Sequence, residues 1–220
     1  MGRKRRMGIL IIGFLGFALF MADIVSPAPP DNYTAQMNVG GMTMPMAKMG
    51  DKTRVENPKM PGLVTIIYKA EKKTIMLSVP NKAYLEEPLQ ERAPNFQDRD
   101  VVAEKKKIGS DKADGHPCTK YDVMWYRKEK PDEKFKAIIW EAEDLGGLAI
   151  REERESTEAR KGGTPDKVGG PRRVFFELKE IKVGGASASM FEVPKDFKKV
   201  NSMPELMGGL GKMMEQMKKK

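Results

Sequence analysis

Tyr33 to Val39 alternate apolar and polar side chains, the period of a half-buried strand. Gly40-Gly41 marks a turn. Met42 to Met49 resumes the alternation and places Met42, Met44 and Met46 on one face. Pro45 assigns this second segment to an edge or a bulge. After Gly50–Lys52, Thr53–Glu56 reads as extended. The clearest strands are Leu63–Lys69, rich in β-branched residues, and Lys73–Val79, joined by the hairpin-length connection Ala70–Lys72. Residues 81–97 are polar, contain Pro88 and Pro94, and are expected to hold one short helix near Ala83–Glu91.

The second half continues in the same style. Val101–Ile108 leads through a turn at Gly109–Gly115 into Cys118–Arg127, where Thr119, Tyr121, Val123 and Trp125 share a face. Lys128–Lys134 reads as a charged turn, Phe135–Ala142 as a strand, and Glu143–Gly147 as the next turn. Leu148–Arg154 and Arg172–Val183 pair across the Gly- and Pro-rich loop Gly162–Pro171. Gly184–Pro194 reads as one helical turn with a short extended exit. The expectation is eight to ten short strands with no long helix in the domain, hence a sandwich or a barrel.

The N-terminus departs from this pattern. Arg3, Lys4, Arg5 and Arg6 precede an apolar run from Gly8 to Ala22, which Asp23 interrupts. The run is shorter than the ~20 residues of a spanning helix and reads as an export signal. Ser26 and Ala28 are the small residues of a cleavage site, but Pro29 would follow the cut, so a cleaved signal and a retained membrane anchor both stand. The division is 1–28 signal or anchor, 29–32 linker, 33–200 β domain, and 201–220 a Met- and Lys-rich tail. The chain of 220 residues carries +9. Residues 1–28 hold four basic residues and one acid, so the remainder carries +6. A basic exported protein, expected in the periplasm, faces anionic lipid or envelope polymers rather than nucleic acid. One Cys excludes an intramolecular disulfide framework, and one His excludes HExxH chemistry.

Four segments in order resemble a known family: GDKTRVE (50–56), GHPCTKYDV (115–123), FKAIIWEAEDLGGLAI (135–150) and VFFELKEIKVGGASASMFEVPKDFKKV (174–200). They are similar to LolA/LolB-like lipoprotein carrier domains, and most of all to a related bacterial domain family of unknown function. The resemblance spans residues 33–200. It implies a mainly β fold: a strongly curved antiparallel sheet, an incomplete barrel, with short helical or loop cover. In the carriers the concave apolar face holds acyl chains. Carried over, that face is expected to be lined by Val64, Ile66, Tyr68, Ile75, Leu77, Tyr121, Val123, Trp125, Ile139 and Phe176.

Other chemistry is sparse. Met37, Met42, Met44, Met46, Met49 and Met60 cluster in sequence. Thioethers bind Cu(I), which makes Met42, Met44 and Met46 the alternative metal site; an apolar strand face with adaptable packing accounts for the same alternation. Cys118 reads as a buried structural thiol, His116 as a turn residue, and Glu141, Glu143 and Asp144 as solvated acids. No phosphate loop, nucleotide fingerprint or G-x-S-x-G occurs, and GSDKADG (109–115) lacks calcium-loop spacing. The tail places Leu206, Leu210, Met213, Met214 and Met217 at helical spacing, interrupted by Gly208, Gly209 and Gly211.

The expectation is therefore a non-enzymatic envelope protein without a cofactor that binds a lipid, an acyl chain or a lipidated partner. The N-terminal segment or the basic tail is its expected contact with a membrane surface. The alternatives are a copper-binding protein and a structural envelope protein whose sheet is filled by its own side chains. The oligomeric state is not legible in the sequence.

Overall fold

The computed structural model describes residues 28–90, 100–155 and 172–208. The apolar N-terminal run expected to be an export signal, the end of the polar stretch 81–97, the loop at 162–171 and most of the tail lie outside the described residues.

Six strands form a first antiparallel meander: β1 (Asn32–Val39), β2 (Met42–Met49), β3 (Lys52–Glu56), β4 (Leu63–Tyr68), β5 (Lys73–Ser78) and β6 (Ala83–Pro88). A second contains β7 (Val101–Ala113), β8 (His116–Arg127), β9 (Lys130–Ala142), β10 (Leu148–Glu155) and β11 (Arg172–Val183). β1 pairs with β11, from Tyr33 opposite Val183 to Val39 opposite Phe176, and fuses the two meanders into one sheet. β12 (Lys198–Val200) adds a short parallel strand to β6, the one parallel pair among the described residues. The result is a single unclosed sheet of twelve strands with β12 and β7 at its edges. It has very little helix, as the mainly β reading expected.

Three local expectations are corrected. The segment expected to be helical near Ala83–Glu91 is strand β6 over Ala83–Pro88. Ala83 and Leu85 are buried while Tyr84 and Glu86 are not, a period of two rather than 3.6. Tyr84 pairs with Leu77 and Leu85 with Met76 on β5, so strand pairing overrides the local helix formers. GSDKADG is not one long turn either. Residues up to Ala113 continue β7, and the reversal contracts to Asp114-Gly115. Both residues have positive φ, at 47° and 83°, which matches the twist of a two-residue hairpin. The charged turn at 128–134 likewise shrinks to Lys128-Glu129, because β9 begins at Lys130.

β7 is a thirteen-residue edge strand, hydrogen-bonded on one side to β8. Lys105, Lys106 and Lys107 are exposed along it, and a bulge interrupts its register between Lys107 and Gly109. Charge and a bulge are the usual protection of a free edge against pairing with another chain.

Candidate functional site

The ten residues expected to line one concave face separate into two groups. Val64 pairs with Leu77 and Ile66 with Ile75, so with Tyr68 they form one apolar face of β4–β5. All five are buried. Their cover is a strap that leaves β11 at Gly184 and returns to the sheet at β12. Gly184 takes φ 72°, and Gly185 passes so close to β1 that a Cβ there would meet Thr34 Oγ1 at 2.8 Å. Asn32 then holds the strap twice: its Nδ2 donates to Ala186 O, and its Oδ1 accepts from Ala186 N, both at 3.0 Å. A 3-10 turn at Ala188–Phe191 drops Phe191 onto the β4–β5 face, where it is 1% exposed among Ala47, Val64, Ile66 and Leu77. The Tyr68 hydroxyl donates to Phe191 O, and burial raises the Tyr68 pKa. Arg54 Nη1 donates to Met190 O at 3.0 Å and its Nη2 to Glu56 Oε1 at 2.9 Å.

The second group is Tyr121, Val123, Trp125, Ile139 and Phe176. Tyr121 lies opposite Ile139, and Val123 and Trp125 lie opposite Ala137 and Phe135. Phe176 packs against this cluster. Val123, Trp125 and Ile139 have no exposed surface, and Trp125 stacks on Phe135 with ring centroids 5.8 Å apart. Register separates this group from the first. Phe176 pairs with Val39 and Val39 with Met42, so Phe176 shares its side of the sheet with Met42, Met44 and Met46. Ala47 pairs with Arg54, and Arg54 with Ile66, which belong to the opposite side. The structure thus brings five of the expected residues together under the strap and the other five together on the reverse face.

Glu152 is fully buried within the second group, opposite Ile139 and Phe176. Arg154 Nε donates to its Oε1 at 2.5 Å, while Oε2 has no hydrogen-bond partner. The Arg154 guanidinium lies 5.3 Å from the Trp125 ring centre and 3.5 Å from that of Phe175. The Arg154 side of the pair, partly exposed, is thus flanked by two aromatic rings, while the Glu152 carboxylate is fully buried.

A cleft of about 180 Å³ opens beside the strap. Thr34, Gln36, Arg54, Glu56 and Lys182 line it, with Met190 of the strap above. With Glu180 also in its lining, it mixes two cations and two anions with apolar surface. Phe191, Met190 and Arg54 are functional candidates that pattern reading did not single out. The one signal for the strap was an apolar pair, Met190-Phe191, set among Gly, Ala and Ser.

The remaining chemistry is structural. Cys118 is 1% exposed, and burial pushes its thiol pKa up, away from the reactive thiolate. His116 Nδ1 lies 2.8 Å from Asp144 Oδ2. Glu141, expected to be solvated, is the partly buried partner of Lys105 at 2.5 Å. Among the described residues no group of three or more His, Cys, Asp and Glu side chains is placed to hold a metal ion. The three methionines of the alternative site, Met42, Met44 and Met46, share one face of β2, the first two half-buried and Met46 buried at 8% exposure. No family model matches the chain, and no curated protein matches it.

Proposed function

We propose that this protein is an exported, non-enzymatic binding protein of the cell envelope, and that it takes an acyl chain or a lipidated partner against the β4–β5 face. The observation that carries this reading is the strap. An unclosed sheet leaves an apolar face that something must cover. Here Phe191 covers it from a short segment held by Asn32, Arg54 and Tyr68. The cleft beside it offers apolar surface for a chain, and Arg54 and Lys182, balanced by Glu56 and Glu180, for a polar headgroup.

At about 180 Å³ the cleft is smaller than the roughly 300–1,000 Å³ of ordinary ligand pockets. An acyl chain therefore enters by displacing Phe191 and occupying its place. Native mass spectrometry of protein purified from the envelope tests the reading, together with titration of a fluorescent fatty acid. Co-purified lipid, or saturable binding that increases in Phe191→Ala, is the expected result. Neither lipid nor binding in either form would sink it.

The close fit of Phe191 favours a second reading, a structural envelope protein whose sheet is filled by its own side chains. Absence of binding together with full stability of the purified protein would favour that reading.

A further inference from the structure

The β1–β2 hairpin collects thioethers on the side of the sheet away from the strap. Met37 on β1 lies directly opposite Met44 on β2, and Val39 lies opposite Met42. Directly opposed residues in an antiparallel pair have Cβ atoms about 4.5–5.5 Å apart, and diagonal neighbours at about 7–8 Å remain within reach of long side chains. Met37 thus faces Met44 and lies diagonal to both Met42 and Met46. Met37, Met42 and Met44 are half-buried, Met37 packing against the edge of the core; Met46 is 8% exposed and packed into that core with Leu178 and Ile150.

The hairpin is a firm frame for these side chains. The eight residues of each strand pair without a register shift, and Asn38 Oδ1 accepts from Gly41 N at 3.1 Å across the turn. Neither strand contains a His, Cys, Asp or Glu. A donor set made only of thioethers is soft: it selects a monovalent soft ion and discriminates against Zn²⁺, Mg²⁺ and Ca²⁺. Trigonal thioether coordination needs three thioethers on one face that solvent reaches, and the strand pairing puts Met37, Met42 and Met44 on one half-buried face.

We propose that Met37, Met42 and Met44 form a surface site for Cu(I), with Met46 beneath them as packing. The site lies on the opposite side of the sheet from the strap, so it is independent of the acyl-binding reading.

Anaerobic titration of the full chain with Cu(I), in competition with a chromophoric bicinchoninate chelator, tests it. The expected result is one Cu(I) per chain, withdrawn from the chelator. Removing even the outer-shell partner of a ligand typically costs roughly 10–100-fold in metal affinity. Met37→Leu, Met42→Leu and Met44→Leu should therefore each weaken retention by about tenfold or more. The triple variant should retain none, and Met60→Leu, in an exposed turn, should leave retention unchanged. Leu keeps the apolar volume, and circular dichroism of each variant checks the fold. A second readout uses the wild-type chain: Ag(I), a redox-inert stand-in, should shift the ε-methyl resonances of Met37, Met42 and Met44 and spare those of Met49 and Met60. No capture of Cu(I), equal capture by the triple variant, or shifts spread over all the methionines would each overturn the proposal.

Discussion

The hydroxyl of Tyr68 donates to the carbonyl of Phe191, 123 residues further along the chain. This bond ties the floor of the β4–β5 face to the strap that covers it. Tyr68→Phe leaves the buried carbonyl without its donor, at about 1–3 kcal/mol. Phe191→Ala removes the ring and leaves a cavity, at about 3–5 kcal/mol. Urea denaturation of both variants should rank them in that order. Equal, small effects would show that the strap contributes little to the core.

The Glu152–Arg154 pair should show the asymmetry of buried charges. Arg154→Met leaves a desolvated carboxylate between Ile139 and Phe176 and should cost about 3–5 kcal/mol. Adding Glu152→Leu to that background should recover most of the loss, because replacing both members of a buried pair with apolar groups is often neutral. The measurement is the denaturation midpoint of the single and double variants. A double variant as unstable as the single one would refute the desolvation account.

Cys118 should be inert in the folded protein. Its burial and raised pKa withhold the thiolate that alkylating reagents need. Iodoacetamide at neutral pH should leave it unmodified in buffer and modify it fully in denaturant, as read by intact mass. Rapid modification of the native protein would contradict the burial.

Alkaline pH should destabilise the fold through Tyr33. Burial raises its pKa from 10.0 to about 12, so the folded state holds the phenol proton more tightly than the unfolded chain. The associated stability is complete below pH 10 and is lost as pH rises from 10 towards 12. A shift of this size corresponds to about 2–3 kcal/mol. Denaturation midpoints measured across that window should fall in the wild type and fall less in Tyr33→Phe.

The sheet was legible because most strands keep one face clean: Val64, Ile66 and Tyr68 alternate with polar or half-buried positions, and short turns separate the runs. β6 was not legible, because Ala83, Leu85 and Glu86 are also good helix formers and only pairing with β5 decides between the two states. The three residues of β12 carry too little pattern to announce a strand. The candidate site was half legible. Alternation identified which residues are buried in each strand but carries no sign that fixes one strand's buried side to that of a strand far away in sequence. Val64 and Val123 therefore look equivalent in sequence and lie on opposite sides of the sheet. The strap's role was hidden for a related reason: Phe191 belongs to no periodic segment, and its partners lie more than a hundred residues earlier.

The β1–β11 seam has a kinetic consequence. Every other antiparallel pair joins strands that are neighbours in sequence, so each meander can assemble from local turns. The seam instead joins residues such as Tyr33 and Val183, and must close a loop of nearly the whole domain before any of its pairs form. Long-range pairings of this kind slow folding. The two meanders are thus expected to form first and the seam last, with β12 and the strap locking onto the first meander only after β11 has docked.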